Sequence, residues 1–560
     1  MQRRRGAELR RDVVAGVVLA ALLVPQGMAY AELAGVPAVT GLYATLVPLV
    51  VYFLLGPSRI LVLGPDSAVS PLVAAAIVPL AAGGDASARI ALAGVLAILV
   101  GAVMFAGGLA RFGFVTELLS MPVRLGYLMG IAVTVIAAQL PKLFGFSVET
   151  ENFLRGIRDF VAGLDETNAT ALILGVASLA LILVLRRVAP KVPGVFLAVV
   201  GATAAVAVLG LADEVEVVGS VPAGLPEFGV PDVSFDDFKT LIPAAVGIAF
   251  VAFTDTSVLS RSYAGRLRQE VDQNRELAVL GVANVATGFF QGFPTSTSSS
   301  RTAVAEDVGA GSQIAGLTGA VVLALLLLFG TGLVHDLPMS ALAAIVIVAV
   351  LGFIDITAMR RLRNWRRSEF TLAMVAFTGV AVLGVLWGVG IAIALSLLNF
   401  IRRAWRPHDA VLGRVDDLKG YHDTERYPDA HLVPGLVLYR FDAPLFFANA
   451  DYFRERVRAL AHSGAVTWIV VTAEPITDID ATAGQMLLAL NGELDAIGIE
   501  FAFAELKDPV RDRLRRYGIE EAIGDHRFFP TLGRAVATYR DVSGVEWVDW
   551  EDRQSEHPDR

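Results

Sequence analysis

Residues 292–301 read GFPTSTSSSR: a glycine, a proline, a run of hydroxylated side chains and one arginine, set among strongly apolar segments. A charged residue at bilayer depth is costly and usually functional, and polar, non-helical backbone is tolerated there only beside a protein-lined cavity. What this stretch does therefore depends on whether its neighbours cross a membrane. With 560 residues, 55% apolar content and only 18% charged residues, the chain is too apolar for an ordinary soluble protein and long enough for many spans plus a further domain. It reads as a polytopic α-helical membrane protein.

Apolar stretches of spanning or near-spanning length fall at 12–31, 41–55, 66–81, 88–110, 119–140, 168–187 and 194–211, then at 240–260, 277–291, 301–308, 312–334, 339–354, 369–384 and 386–404. They divide as seven plus seven. The third and the tenth are too short for a full span, and short segments at corresponding positions of two halves point to inverted repeats with a binding site between them. Arg3-Arg4-Arg5 ahead of an apolar run, with Ala29-x-Ala31 downstream, mimics a secretory signal, but Pro25-Gln26-Gly27 interrupts the run and more spans follow.

Loop charges give an independent orientation, because Lys and Arg collect on cytoplasmic loops. The even-numbered connections are basic: Arg59, Arg111, Arg186-Arg187-Lys191, Arg261 with Arg266 and Arg268, the arginines from Arg360 to Arg367, and Arg402-Arg403. The loop 212–238 carries Asp213, Glu214, Glu216, Glu227, Asp232, Asp236 and Asp237 and no base. Both termini are then cytoplasmic, and the protein is expected in the cell inner (plasma) membrane, among membrane lipids.

After Arg406-Pro407 the pattern changes. Residues 408–560 hold 28 acidic and 17 basic residues, a net charge of −11 against −9 for the whole chain. Leu436 to Phe441, Trp468 to Thr472 and Glu500 to Ala504 read as strands, and Asp451 to His462 and Ala483 to Ile497 as amphipathic helices, the alternation of a small α/β domain. The expected domains are 1–407 in the membrane, 408–541 in the cytosol, and an acidic tail at 542–560, loosely docked or disordered, with Trp547 and Trp550. Cysteine is absent and six of the seven histidines lie at or beyond His408, so neither a thiolate nor a His-built metal site is expected. The chain lacks nucleotide-binding fingerprints and catalytic triads, so no cofactor, enzyme activity or nucleic-acid partner is expected.

The third segment opens Gly64-Pro65-Asp66-Ser67-Ala68 after a strand-like Ile60 to Leu63, and the tenth opens Ser299-Ser300-Arg301-Thr302. Pro and Gly ahead of Ser and Asp make both plausible helix starts. By the loop charges one approaches mid-membrane from inside and the other from outside, so their N-termini face each other. Each offers unsatisfied N–H groups and about half a positive charge, which favours an anion, and Arg301 adds a full charge. Taken alone, the Ser/Thr run is a flexible loop and Arg301 a snorkelling side chain; the matching break at Pro65 favours the anion site. Gln26 and Tyr30, four apart on one helical face, and Asp255, an acid in AFVAFTDTSVLS, are further polar intrusions. Asp255 would hold a cotransported cation or take a proton; its bland alternative is a permanent ion pair, with Arg301 as the partner.

These residues closely resemble the SulP anion-transporter family, over nearly the whole chain. The resemblance rests on Pro25-Gln26-Gly27-Met28-Ala29-Tyr30-Ala31 with Gly41-Leu42-Tyr43, Gly56-Pro57-Ser58-Arg59, Gly64 to Ala68, and Asn284 with Gly288 to Thr302. It implies core and gate domains working by an elevator-like movement, a homodimer, and an anion held among Gln26, Tyr30, Asp66, Ser67, Ala68, Ser299, Ser300, Arg301 and Thr302. Asp255 matches a coupling acid of bacterial members. Leu259 stands where sodium-coupled bicarbonate carriers have a hydroxyl, which favours a proton over sodium. The C-terminal domain resembles a STAS domain, with its signature loop at Ile479-Asp480-Ala481-Thr482-Ala483 and Ala481 at the position phosphorylated in anti-sigma-factor antagonists; Thr482 is read as a helix N-cap, and a cytosolic partner is implied. The leading reading is proton-coupled sulfate uptake. The alternatives are a bicarbonate or dicarboxylate carrier, with sodium as an alternative coupling ion, and a membrane-anchored STAS signalling scaffold.

Overall fold

The structure, a computed structural model, describes residues 2–81, 85–114, 120–148, 153–189, 192–268 and 270–547. The chain divides into two compact units between Leu397 and Leu398. That division falls inside the last membrane helix rather than after it at 407.

The first unit is helical, and its two halves repeat one order of elements. The first half runs α1 (Gln2–Leu33), α2 (Ala38–Leu55), the two-residue strand β1 (Leu63–Gly64), α3 (Ser70–Ile77), α4 (Ala86–Leu109), α5 (Met121–Phe144), α6 (Phe153–Ala162), α7 (Ala169–Val188) and α8 (Gly194–Leu209). The second runs α9 (Phe235–Leu267), α10 (Gln273–Phe289), β2 (Ser296–Thr297), α11 (Ser299–Asp307), α12 (Ile314–Phe329), α13 (Met339–Leu351), α14 (Ile356–Trp365), α15 (Arg367–Leu383) and α16 (Val385–Trp405). Each expected segment is occupied by a helix. Two further helices, α6 and α14, were not expected; each follows the fifth segment of its half, too short and too charged to span.

Eight helical stretches of the described residues are long and apolar enough to cross a membrane, α13 being counted together with α14 as Met339–Trp365, and α8 and α12 are shorter apolar helices. Leu109, Val188, Phe329 and Trp387 on these helices are 70% exposed or more, a surface that suits lipid rather than water. The helices pack in two groups, α1–α4 with α9–α12, and α5, α7 and α8 with α13, and α5 also with α15; α1 packs on α13 and α8 along the seam between them. Close approach within the first group needs glycine. A Cβ on Gly41 of α2 would lie 1.9 Å from the carbonyl oxygen of Gly27 on α1, so any side chain there would force the two helices apart.

The third segment departs from its expected span of 66–81. The Asp66 carboxylate accepts from the Ala68 amide at 2.9 Å, the Ser70 amide reaches the Asp66 carbonyl at 2.9 Å, and the helix itself begins only at Ser70 with Pro71 in its first turn. Asp66, Ser67 and Ala68 therefore lie in the turn ahead of α3. A short polar side chain that captures a nearby amide offers the chain an alternative to helix, which delays the start.

The second unit carries a six-stranded sheet in the order β4 (Tyr421–Asp423), β3 (Asp409–Arg414), β5 (Leu436–Phe441), β6 (Trp468–Thr472), β7 (Glu500–Ala504), β8 (Phe528–Phe529). β5 to β8 are parallel, and β3 and β4 extend one edge antiparallel. Helices α17 (Ala450–Ala461) and α18 (Ala481–Ala496), with α19 (Asp508–Arg516) and α20 (Ile519–Ile523), cover one face, and α21 (Leu532–Ser543) covers the other. The N-cap of α18 is Asp480, not Thr482: its carboxylate accepts from Ala483 N at 2.8 Å and from Phe447 N at 2.9 Å. Thr482 is exposed in the first turn. Of the tail expected at 542–560, α21 takes the first two residues, Val545 and Trp547 pack against the α21 face of the sheet, and residues 548–560, with Trp550, lie outside the described residues.

Candidate functional site

The two broken segments meet as strands. β1 and β2 pair antiparallel, Leu63 with Thr297 and Gly64 with Ser296, and the Ser298 amide donates to the Val62 carbonyl at 3.1 Å. This ladder sets the turn before α3 against the start of α11. Both strands are tied to the surrounding helices. On the β2 side, Asn284 of α10 accepts from Thr295 N at 2.8 Å and donates to Thr295 O at 3.1 Å, and the Thr297 hydroxyl donates to that of Thr256 on α9 at 3.1 Å. On the β1 side, Gln313 donates to the carbonyls of Ser58 and Leu61, both at 2.9 Å, and the buried carboxylate of Glu276 accepts from the hydroxyls of Tyr52 and Ser58. These bonds give polar groups of the unwound chain partners within the protein.

Arg301 is wholly buried at this junction. Its Nη2 donates to the Pro65 carbonyl, so the tenth segment's charge is clamped onto the third segment's break. Gly64 makes this possible: it sits at φ +148°, and a Cβ there would lie 2.7 Å from Arg301 Nη1. Nε and Nη1 of Arg301 have no hydrogen-bond partner, and neither has the buried Oε1 of Gln26. Unsatisfied guanidinium donors in a buried place are rare, because each costs desolvation that nothing returns. The amides of Ser299, Ser300 and Arg301 precede the first backbone bond of α11, from Thr302 N to Ser298 O.

The expected residues separate into those the fold gathers and those it commits elsewhere. Tyr30 and Asp66 lie within electrostatic reach of Arg301, and Ser67 lies near Tyr30. Gln26 sits one turn before Tyr30 on α1, which runs unbroken past Pro25. Ser299 and Ser300 are exposed at the tip of α11. Thr302 is committed to the scaffold, its hydroxyl accepting from Val62 N at 3.1 Å, and the Ala68 amide is taken by Asp66. The free helix start is thus that of α11, while the turn before α3 carries an acid on its own amide.

Asp255 of α9 forms an ion pair, but not with Arg301. Its partner is Arg124 of α5, Nη2 to Oδ1 at 2.8 Å. Arg301 is held away by its bond to Pro65, whereas α5 presents Arg124 directly, with Tyr127 one turn on and in electrostatic contact with both. Arg124, in MPVRLGY, escaped the sequence reading although the rule applied to Arg301, a charge inside an apolar run, would have flagged it.

The sequence profile described as the Sulfate permease family matches residues 9–376, and that of the STAS domain residues 427–535. A probable sulfate transporter of Mycobacterium tuberculosis is 44% identical over 535 residues, covering 95% of each chain. A probable sulfate transporter of Arabidopsis thaliana, 4.2, is 33% identical over 546 residues, covering 94% of this chain and 80% of its own. The solved overall structure of SLC26A9 superposes with a TM-score of 0.89 at 23% identity, covering 96% of this chain and 91% of that one.

Proposed function

The chain belongs to the sulfate permease family, and from that premise we propose that it is a secondary active anion carrier that takes up sulfate with protons by alternating access between its two helix groups. The observation that carries the reading is Arg301: a buried guanidinium with two uncommitted N–H donors, where two interrupted segments meet and the start of α11 is free. Arg301, the amides from Ser299 to Arg301, and the side chains of Gln26, Tyr30 and Ser67 would hold the anion. Asp66, Ala68 and Thr302 would shape the place rather than touch the ion.

Protons are needed on energetic grounds. Moving one charge against 100 mV costs about 2.3 kcal/mol, so a dianion entering a cell that is negative inside meets about 4.6 kcal/mol, and each accompanying proton removes about half of that. Asp255 is the acid placed to carry one. Leu259, one turn further along α9, offers no oxygen for sodium. By the loop charges the carrier sits in the plasma membrane with both termini and the STAS domain in the cytoplasm, and family precedent makes it a homodimer. Ala481 removes the hydroxyl that a phospho-switch of the STAS loop would use, so the domain's cytosolic partner would be recognised without it.

Labelled sulfate uptake into proteoliposomes tests this. An imposed proton gradient, acidic outside, is expected to accelerate uptake at least several-fold and a sodium gradient to leave it unchanged. Asp255→Asn is expected to abolish the response to the proton gradient. Uptake of bicarbonate or fumarate with no uptake of sulfate would overturn the substrate, and full gradient dependence in Asp255→Asn would remove that residue from coupling.

A further inference from the structure

Arg124 and Asp255 belong to different helix groups. Arg124 lies in the first turn of α5, which packs on α7, α13 and α15; Asp255 lies in the middle of α9, which packs on α3, α4 and β2. Their 2.8 Å ion pair therefore joins the group that carries the anion site to the group that does not. The far end of α5 is tied in the same direction: Lys142 lies 3.5 Å from Glu32 of α1. At about 1.5 Å per residue the two arms are about 27 Å apart, close to the thickness of the hydrocarbon core. Only the arm at Arg124 reaches the site.

The groups facing Asp255 are Arg124 and Tyr127 from α5 and Asp66 from the turn before α3, with Arg301 beyond Asp66. Counted formally, two arginines and two aspartates cancel. A proton arriving from water converts the Asp255 carboxylate to the neutral acid and leaves Arg124 charged. The pair then loses its Coulombic attraction, and the cluster gains one positive charge beside the anion. Conversely, separating the groups while Asp255 is ionised would leave two partly buried charges, 30% and 16% exposed, without their partner. Proton binding and the ion pair thus compete for one carboxylate.

We propose that Arg124 is a positioning residue for coupling: by pairing with ionised Asp255 across the two helix groups it holds the unprotonated carrier in place, so that the site moves only after Asp255 has taken a proton. This rests on the proton-coupled reading above. It supplies what that reading lacks, a reason why sulfate does not cross without its proton.

The test is sulfate uptake by full-length Arg124→Gln and Arg124→Lys in proteoliposomes, as a function of pH and with or without a proton gradient. Arg124→Gln is expected to keep transporting but to lose at least 80% of the stimulation by the gradient, and its half-maximal uptake is expected at higher pH, since no cation then competes with the proton. Arg124→Lys keeps the charge and is expected to retain most of the stimulation. Asp255→Asn combined with Arg124→Gln leaves neither charge unpaired and is expected to match Asp255→Asn alone; it also covers the case in which the single glutamine variant does not fold. A wild-type pH profile and gradient response in Arg124→Gln would overturn the proposal, as would a double variant clearly worse than Asp255→Asn. If a proton gradient does not stimulate wild-type uptake, the proton-coupled reading itself fails; if Asp255→Asn keeps its gradient response, Asp255 is not the coupling acid and this proposal falls with it; if only Arg124→Gln behaves as wild type, the role of Arg124 alone fails.

Discussion

Replacing Arg301 with alanine is expected to weaken sulfate uptake by at least about 100-fold while the protein remains folded and monodisperse. Hydrogen bonds to charged groups contribute about 1.5–3 kcal/mol each, and two nitrogens of Arg301, Nε and Nη1, have no hydrogen-bond partner. Their loss amounts to about 3–6 kcal/mol, or roughly two to four powers of ten in affinity. The substitution also frees the Pro65 carbonyl, but β1 and β2 remain joined through their backbone pairing and the bond from Ser298 N to Val62 O. Arg301→Lys is expected to fall between the two, because an ammonium supplies charge without the planar pair of donors. Sulfate-dependent thermal stabilisation, measured beside uptake, separates binding from folding. An alanine variant with wild-type affinity would mean that the guanidinium serves only to join the two segments.

The second large effect is expected at Asn284, which touches no expected anion position. Asn284→Leu has nearly the same volume but leaves the buried amide and carbonyl of Thr295 without partners. An unmade buried hydrogen bond costs about 1–3 kcal/mol, so with two such groups the variant is expected to lose about 2–6 kcal/mol, concentrated in the unwound stretch 293–298. Hydrogen exchange should show amides of that stretch, Thr295 and Ser298 among them, opening much faster than in the wild type, with sulfate uptake reduced at least tenfold. Unchanged exchange in the leucine variant would show that β1 holds β2 without help from α10.

Much of this architecture was legible because bilayer physics writes it in one dimension. Each of the fourteen apolar runs holds a helix of the first unit, and the arginines at 59, 111, 186–187, 261–268 and 360–367 carry the direction proposed for them. In the second unit the strands at 436–441, 468–472 and 500–504 were bounded correctly, since a buried parallel strand is a continuous β-branched and aromatic run. β3, inside the sheet between β4 and β5, and the edge strands β4 and β8 lack that signature, β3 because it carries charged residues at both ends and β4 and β8 because they hold only three and two residues.

At the site, GFPTSTSSSR identified the break but not what it pairs with. A two-residue strand has no period to detect, and its partner lies more than two hundred residues away in the chain. The late start of α3 depends on which amide the Asp66 carboxylate captures, a choice made by local geometry rather than composition. The partner of Asp255 was misassigned for a related reason: Arg301 was the nearest charge in the tenth segment, but its own bond to Pro65 removes it, and only the packing of α5 against the other group brings in Arg124. The basic run 360–367 lies largely in helix α14, ITAMRRLRNW, whose charges mask its helical character in the sequence.

The most direct measurement is the position of the anion itself. Selenate has the shape and charge of sulfate and scatters anomalously, so a structure of the wild-type protein with selenate locates it without assumption. The predicted peak lies within about 2.7–3.2 Å hydrogen-bond reach of the Arg301 guanidinium and of the first amides of α11, beside the turn before α3. A peak at full occupancy elsewhere in the membrane unit, with Arg301 left as it is, would contradict the assignment of this junction as the anion site.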